Sequence, residues 1–538
     1  MSDTDPEKDT KLLTRCLASY AVYSITDCTI EEAVNSITDG GDDNGIDAVY
    51  FSQTMKQLIL VQSKWIKSGS GEPDSGEIGK FCRGINDLFN LSFDRFNQKV
   101  NSKRTMIEHA IGEYDTRYLL IVIDTGDKGL AIHSQRQIDD LLYEMNDAGD
   151  GISEPLVSFI RLNQGKIHSS LALSVGAEPI DLEVGLTQWG KIIDPHPAFF
   201  GMVAGEEIAQ WWVSYGRRLF DKNIRQVLGS TEVNEEIKST LLNSPEKFWY
   251  YNNGITIVAE KIEKSMIGGN GREQGTFKLR NTQIVNGAQT VSTIGKYYEA
   301  GGLGLDKTWV HARLISLADA SEEFGSQVTR TNNRQNRIEN RDFVAQDPEQ
   351  LRLKTELAID GIDYNIVRSD TFKASEKSFD LPEATAALAC ATGETNYAVQ
   401  AKREIGKFYE DLTKGFYKKL FNPSITGFHI YNVVRIVRVI EENLENEIHK
   451  LPKKSGRKYG ILVHGNRIIE LLVISKLHLS LEVKDPSFIL DKKLIGDTTI
   501  ICIEKLCSVI EDKYKDSMLG TLFKNSSKCK RIVELCNI

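Results

Sequence analysis

Two short β-like runs standing close together constrain this chain most. Ile46–Phe51 (IDAVYF) and Leu58–Trp65 (LILVQSKW) are separated by the mostly polar residues 52–57, a hairpin-length connection. Side chains alternate across a strand, so Leu58, Leu60, Gln62 and Lys64 share one face of the second run. Asp47, Val49 and Phe51 share one face of the first. A turn centred near Thr54–Lys56 brings Asp47 beside Gln62 and Lys64. The glycine-rich approach Gly40-Gly41-Asp42-Asp43-Asn44-Gly45-Ile46-Asp47 leads directly into this group. One acid, one amide oxygen and one lysine then converge at the end of a hairpin.

That convergence suits metal-assisted phosphodiester hydrolysis. A cation such as Mg²⁺ (or Mn²⁺) takes hard oxygen ligands. Asp47 can supply a carboxylate, Gln62 an amide oxygen and Ser63 its backbone carbonyl. Asp43, four residues before Asp47, is the candidate for a second carboxylate or a second metal. The Lys64 ammonium can orient the attacking water or stabilise developing charge. The competing reading is a solvated hairpin edge, with Gly40 and Gly41 in a turn and Lys64 as an edge-strand lysine that discourages aggregation. The arrangement resembles the PD-(D/E)XK nuclease superfamily, and its Mrr-type restriction endonuclease branch in particular. In that resemblance Asp47, Gln62 and Lys64 take the places of the catalytic D, E/Q and K. Gln62 departs from the commoner Glu and removes one negative charge beside the metal. Members of that branch often carry a further acid on the first helix, and Leu12–Tyr23 has none.

A chain of 538 residues exceeds one hydrophobic core, and about three domains are expected. The formal net charge is −9, so a nuclease needs a local basic surface rather than a basic chain. The eight cysteines show no zinc spacing and read as free thiols of a reducing compartment. No run approaches the roughly 18 apolar residues of a membrane span. Met1–Lys11 is acidic and polar, unlike a secretory signal, and is expected to fray. There is no Walker A lysine motif. A cytoplasmic protein without membrane attachment is expected.

Residues 1–177 read as one α/β unit. Leu12–Tyr23 and Glu77–Phe96 read as helices, the latter with Ile78, Phe81, Ile85, Leu88 and Phe89 on one stripe. Tyr118–Asp124 (YLLIVID) reads as a buried central strand. His133–Asn146 reads as a helix and Leu156–Leu162 as a strand. Lys67–Gly76 reads as a flexible loop beside the site.

A second set of motifs occupies the middle of the chain. Phe220–Arg225 (FDKNIR) is followed by Phe248–Thr256 (FWYYNNGIT) and Gln283–Thr290 (QIVNGAQT). Thr331–Asn336 (TNNRQN) then precedes Arg341–Phe343. Together, over about Phe220 to Pro348, they resemble the AIPR family, named for abortive-infection phage resistance. Family members often carry an N-terminal nuclease-like domain. Asn252-Asn253-Gly254 reads as a hairpin turn requiring positive φ. Gln283–Gln289 reads as strand, glycine turn and helix start, where backbone N–H groups can hold a phosphate. Asn252, Asn253, Asn286, Gln289 and Thr290 are the candidate nucleotide- or phosphate-binding residues there. Arg330, Arg334 and Arg337 recur at helical spacing, as a phosphate-binding stripe or a solvated face.

From about Ser378 the chain reads as mostly helical, with Pro382 opening a helix to Ala391 and another at Asn432–Ile448. Lys450–Lys458 and Lys524–Arg531 are basic segments, read as solvated loop and tail or as phosphate contacts. The expected architecture is α/β: a restriction-endonuclease-like mixed sheet flanked by helices (1–177), an α+β AIPR core (178–377) and a helical C-terminal domain (378–538). The expected function is a metal-dependent endonuclease acting on DNA in anti-phage defence. A homodimer is expected, because one metal site cuts one strand. A nucleotide ligand and a second defence-system protein are candidate partners. The alternatives are a nucleic-acid- or nucleotide-binding regulatory defence protein with an inactive nuclease fold, and a ribonuclease.

Overall fold

The computed structural model describes residues 7–26, 28–53, 55–113, 115–151, 153–168, 179–220, 231–265, 271–318, 320–321, 324–325, 327–328, 331, 344–367, 372–413, 415–477, 484–485 and 487–537. The chain forms two compact units. One comprises Met1–Val22, Cys28–Asn163 and Ile338–Ile538; the other comprises Tyr23–Asp27 and Gln164–Arg337.

The first unit opens with helices α1 (Lys8–Ile25) and α2 (Ile30–Asn35), so order begins well before Lys11. Strands β1 (Ala48–Ser52) and β2 (Gln57–Lys64) pair antiparallel, with Ala48 opposite Val61 and Phe51 opposite Leu58. Helix α3 (Ser75–Phe89), two short helices α4 (Gln98–Ser102) and α5 (Arg104–Gly112), β3 (Arg117–Asp124), α6 (Ile132–Asn146) and β4 (Val157–Leu162) follow. The sheet order is β1-β2-β3-β4, with β2, β3 and β4 mutually parallel. Lys64 therefore lies on an interior strand, not on a sheet edge. Both faces of β3 are buried, which is why its sequence is apolar without alternation.

On one face Val49, Leu58, Leu60, Tyr118, Leu120 and Val122 join Ile78, Phe81, Ile85, Leu88 and Phe89 of α3 in one core. Each such side chain contributes about 2 kcal/mol of burial free energy. Helix α3 is capped by Asp74, whose carboxylate accepts from the Gly76 N–H at 2.7 Å. It ends at Phe89 rather than at Phe96, because Leu91 adopts a left-handed φ of 54° that no helix can continue through.

The C-terminal helices of this unit are α11 (Pro348–Ile359), α12 (Leu381–Ala391), α13 (Thr395–Arg403), α14 (Gly415–Leu420), α15 (Gly427–His449), α16 (Arg457–His464), α17 (Asn466–Leu477), α18 (Lys492–Lys513), α19 (Leu519–Leu522) and α20 (Ser526–Asn537). Pro382 stands in the first turn of α12, as its fixed φ favours. Most cations of the two basic segments are exposed, as expected, but each segment contains a lysine with a partner far off in sequence. Lys453 pairs with Asp94 at 2.6 Å, and its hydrogen bond with that of Ser455 holds the Asp94 carboxyl down to about 2. Lys524 is 3% exposed and donates to the Tyr118 hydroxyl at 3.1 Å, over whose ring it also lies. Sequence shows the positive charge, but not the acid or aromatic ring that long-range packing sets opposite it.

The second unit is a closed five-stranded barrel. Its strands are β5 (Leu182–Ile192), β6 (Ala198–Ala204), β7 (Ile255–Lys264), β8 (Gln274–Asn286) and β9 (Trp309–Ser316), closed in the order β5-β6-β9-β7-β8. Pairing is antiparallel except between β7 and β9. The interior is filled by Val184, Val203, Ile257, Phe277, Leu279 and Leu314. Helices α7 (Gly205–Tyr215), α8 (Thr231–Asn243), α9 (Phe248–Tyr251) and α10 (Ala288–Glu299) belong to the same unit. A two-stranded parallel pair, β10 (Asp363–Asn365) with β11 (Ser378–Asp380), belongs to the first unit.

Glu207 on α7 accepts the Gly185 N–H at 2.8 Å, and burial pushes its carboxyl up to about 7 against that bond. A carboxyl raised in the folded state stabilises the fold below its unfolded pKa, and this contribution is lost as pH rises through the folded value. Glu207→Gln keeps the acceptor oxygen and removes the titration. Its melting temperature is expected to match the unaltered chain near about pH 4. It should exceed it at about pH 8 by an amount equivalent to roughly 1–2 kcal/mol, discounted for partial exposure.

Candidate functional site

The glycine-rich segment before β1 is a tight loop tied together by its own acids. Asp43 accepts the Gly45 N–H at 2.8 Å and the Gly40 N–H at 3.1 Å, and pairs with Lys80 of α3 at 2.8 Å. Asp42, Asn44 and Gly45 all have positive φ. Gly45 is also pressed against α3: a Cβ there would lie 2.7 Å from the Phe81 amide nitrogen. The loop thus delivers Asp47 to the start of β1, where its N–H donates to the Val61 carbonyl at 2.7 Å. The paired register itself begins one residue later, with Ala48 opposite Val61.

Asp47 is 7% exposed. One carboxylate oxygen, Oδ2, accepts the Ser63 N–H at 2.6 Å and the Ser63 hydroxyl at 3.0 Å. Ser63 therefore meets Asp47 through its donors. Oxygens of Asp39, Asp43 and Asp47 lie within 4.8 Å of one another. Asp39 pairs with Arg15 and Asp43 with Lys80, whereas Asp47 has no ion-pair partner among the described residues. Burial pushes the Asp47 carboxyl up to about 7, and the charges of Asp43 and Asp39 add to this, while the Ser63 hydrogen bonds oppose it.

Gln62 and Lys64 both meet α3 at Glu77. The Gln62 amide Nε2 donates to the Glu77 carbonyl at 2.8 Å, and Lys64 Nζ is ion-paired with Glu77 Oε1. Gln62 Oε1 and Glu77 Oε2 are buried and accept no hydrogen bond among the described residues, as is also true of Gln57 Oε1 and Glu404 Oε2 elsewhere. Buried acceptors without a donor are uncommon and mark strain or the place of a ligand or ion. The group Asp39, Asp43 and Asp47 offers only oxygen ligands, as do the unmatched Gln62 and Glu77 oxygens, and oxygen suits Mg²⁺ or Mn²⁺ rather than a soft metal.

Sequence reasoning brings Asp43, Asp47, Gln62, Ser63 and Lys64 together; the structure shows Asp43 near Asp47, Asp47 bonded to Ser63, and Gln62 and Lys64 both bonded to Glu77. It missed Asp39 and Glu77. Asp39 was legible as the acid just before Gly40-Gly41. Glu77 reads as an ordinary acid in a first helical turn, and only the packing of α3 on β2 brings it to Lys64.

In the barrel unit the two Asn- and Gln-rich motifs meet. Thr256 pairs with Asn286 across β7 and β8, and Asn252 Nδ2 donates to the Thr290 hydroxyl at 3.1 Å. Asn286 and Thr290 are buried, and Gln289 lies in the first turn of α10. Asn253 is exposed just before Gly254. Asn252-Asn253-Gly254 is not a hairpin. Trp249–Tyr251 belong to the short helix α9, so the turn joins helix to strand. The positive φ is required at Gly254 (79°), where a Cβ would also lie 2.3 Å from the His311 carbonyl oxygen. Arg313 of β9 donates to the Thr256 hydroxyl at 2.9 Å, adding a cation near this turn. Strand, glycine turn and helix follow at Gln283–Gln289 as expected, with Gly287 at φ 88°. Arg330, Arg334 and Arg337 lie outside the described residues, as do 221–225, 332–336 and 341–343 of the family motifs.

All eight cysteines are free, four of them buried. Among the described residues no helix is long and apolar enough to cross a membrane. No curated protein and no solved structure matches the chain. The sequence profile of the family described as AIPR protein matches residues 220–518, more than half of the 538 residues. The match starts at the first of the expected motifs and runs well past the last, through the barrel and into the C-terminal helices. The chain belongs to the AIPR protein family.

Proposed function

We propose that the chain is a metal-dependent nuclease that hydrolyses phosphodiester bonds in DNA, with its site at the β1–β2 hairpin. The observation that carries this reading is Asp47: a buried carboxylate without an ion-pair partner among the described residues, hydrogen-bonded to Ser63, next to Gln62, whose amide oxygen accepts nothing. A buried carboxylate is strongly disfavoured unless a cation or donors compensate it. A Mg²⁺ or Mn²⁺ ion, when bound, polarises the phosphate and lowers the pKa of a coordinated water. Asp47 and Gln62 hold that ion through side-chain oxygens. Ser63 fixes the Asp47 carboxylate through two hydrogen bonds and so selects which oxygen faces the metal. Lys64 supplies a positive charge to the attacking water or to the phosphate oxygens. Asp43 holds the loop that presents Asp47.

Family membership suggests a part in anti-phage defence. In this reading the barrel regulates the nuclease: Asn252, Asn253, Asn286, Gln289 and Thr290 form a polar turn suited to a nucleotide or a nucleic-acid backbone. The active form is a homodimer, which places two sites for two strands. The neutral Gln62 favours a second reading, in which the hairpin only binds nucleic acid and does not cut it.

The test is a cleavage assay on supercoiled plasmid, linear duplex and single-stranded RNA, with Mg²⁺, Mn²⁺ or EDTA, beside Asp47→Ala. Metal-dependent cutting of DNA that disappears in the variant is the expected result. Cutting of RNA alone would correct the substrate. Binding without cutting, with and without added nucleotides, would favour the second reading.

A further inference from the structure

The proposed site has a deficit of negative charge. Gln62 is neutral where its superfamily counterpart is usually an acid, and Asp39 and Asp43 already have cationic partners in Arg15 and Lys80. Only Asp47 remains uncompensated, and a divalent ion held by one carboxylate and neutral oxygens is held weakly. Glu77 is placed to supply the missing charge. It sits in the first turn of α3, and α3 packs on the face of β2 that carries Gln62 and Lys64. It touches both of them. The Gln62 amide anchors its backbone carbonyl, while its carboxylate Oε1 takes the Lys64 ammonium.

The other carboxylate oxygen is the informative one. Glu77 Oε2 is shielded from solvent and accepts nothing among the described residues, and the same holds for Gln62 Oε1. An ordinary surface ion pair leaves its second oxygen in water, at no penalty. Here two acceptors on residues that touch each other are both dry and both unmatched among the described residues, and Gln62 is followed by Ser63, which binds the Asp47 carboxylate. Two such oxygens would each be satisfied by one cation between them. The Gln62 amide can donate to α3 only because it is an amide; a glutamate at this position would lose that bond.

We propose that Glu77 is the second metal-binding carboxylate of this site, supplied by α3 in place of the strand acid, and that it also positions Lys64. This rests on the metal-dependent reading of the hairpin given above. The test is isothermal calorimetry of Mn²⁺ binding to the full-length chain, Asp47→Asn, Glu77→Gln and the double variant Gln62→Glu/Glu77→Gln, each checked by thermal melting for an intact fold. The expected result is a loss of Mn²⁺ affinity of at least about tenfold in Glu77→Gln, and recovery of most of it in the double variant, which returns the charge to the strand. Unchanged affinity in Glu77→Gln, alongside loss in Asp47→Asn, would overturn the role of Glu77 and leave the metal site standing. Loss in Glu77→Gln without recovery in the double variant would also overturn it, by showing that the charge is not what Glu77 contributes. No Mn²⁺ binding by the unaltered chain would overturn both the site and this proposal.

Discussion

Lys64→Ala is expected to reduce cleavage about 10³-fold while leaving the fold and Mn²⁺ binding close to unchanged. The magnitude is that of removing one preorganised charge from a reacting phosphate. The fold is expected to survive for a specific reason. Lys64 is the last residue of β2, its side chain is 44% exposed, and its partner is the single carboxylate of Glu77. A half-exposed pair of this kind contributes at most about 1 kcal/mol. Neighbouring Val61 and Leu60, which anchor β2 in the core, are untouched. The measurement is cleavage rate beside a thermal melt and calorimetry. Activity and melting temperature falling together would make Lys64 a structural lysine and remove it from the site. Lys64→Arg keeps the charge but not the compact ammonium, and should restore only part of the rate.

Gly45→Ala should be strongly damaging, because positive φ and a backbone clash coincide there. Gly45 has φ 80°, which disfavours any residue with a Cβ by roughly 1–2 kcal/mol. The added carbon would also lie 2.7 Å from the Phe81 nitrogen and 2.9 Å from the Lys80 carbonyl carbon. Both are helix backbone atoms, so neither can rotate away, and overpacking adds roughly 1–3 kcal/mol. The loop must then lift from α3. That weakens the Gly45 N–H bond to Asp43 and the Asp43–Lys80 pair, and disturbs the Asp47 carboxylate's bonds with Ser63. The expected outcome is a loss of about 2–5 kcal/mol in denaturant unfolding, summing those two terms, together with loss of metal binding. Gly41→Ala is the control: its Cβ would meet nothing within 4 Å. A Gly45→Ala chain as stable as the control would show that the loop is not packed on α3 as described.

Much of the hairpin was legible because it is local. The alternation of Leu58, Leu60, Gln62 and Lys64 places four side chains on one face whatever the rest of the chain does, and the short connection leaves one sensible pairing. The same holds for α3, whose apolar stripe is buried residue for residue, and for Gly287, whose left-handed turn follows from a strand meeting a helix. What failed was nearly always an end or a partner. The far end of α3 was overrun because Leu91 gives no local sign of a positive φ. Asn252-Asn253-Gly254 was read as a hairpin because aromatic residues before it have high strand propensity, and tertiary packing set Trp249–Tyr251 in a helix instead. The partners of Lys453 and Lys524 were not legible because Asp94 and Tyr118 are more than 350 residues away in sequence.

The sequence by itself determined the hairpin, its register, the residues at its tip and the family to which the chain belongs, since each rests on spacing and order within short stretches. The tertiary structure alone decided which acids are free to act. Asp39, Asp43 and Asp47 look equivalent in a glycine-rich loop, but packing gives the first two a cation each and buries the third without one. Glu77 becomes a neighbour of Lys64 only when the apolar stripe of α3 closes over the sheet. The state of a charge depends on what surrounds it in space, and that information is spread over the whole fold.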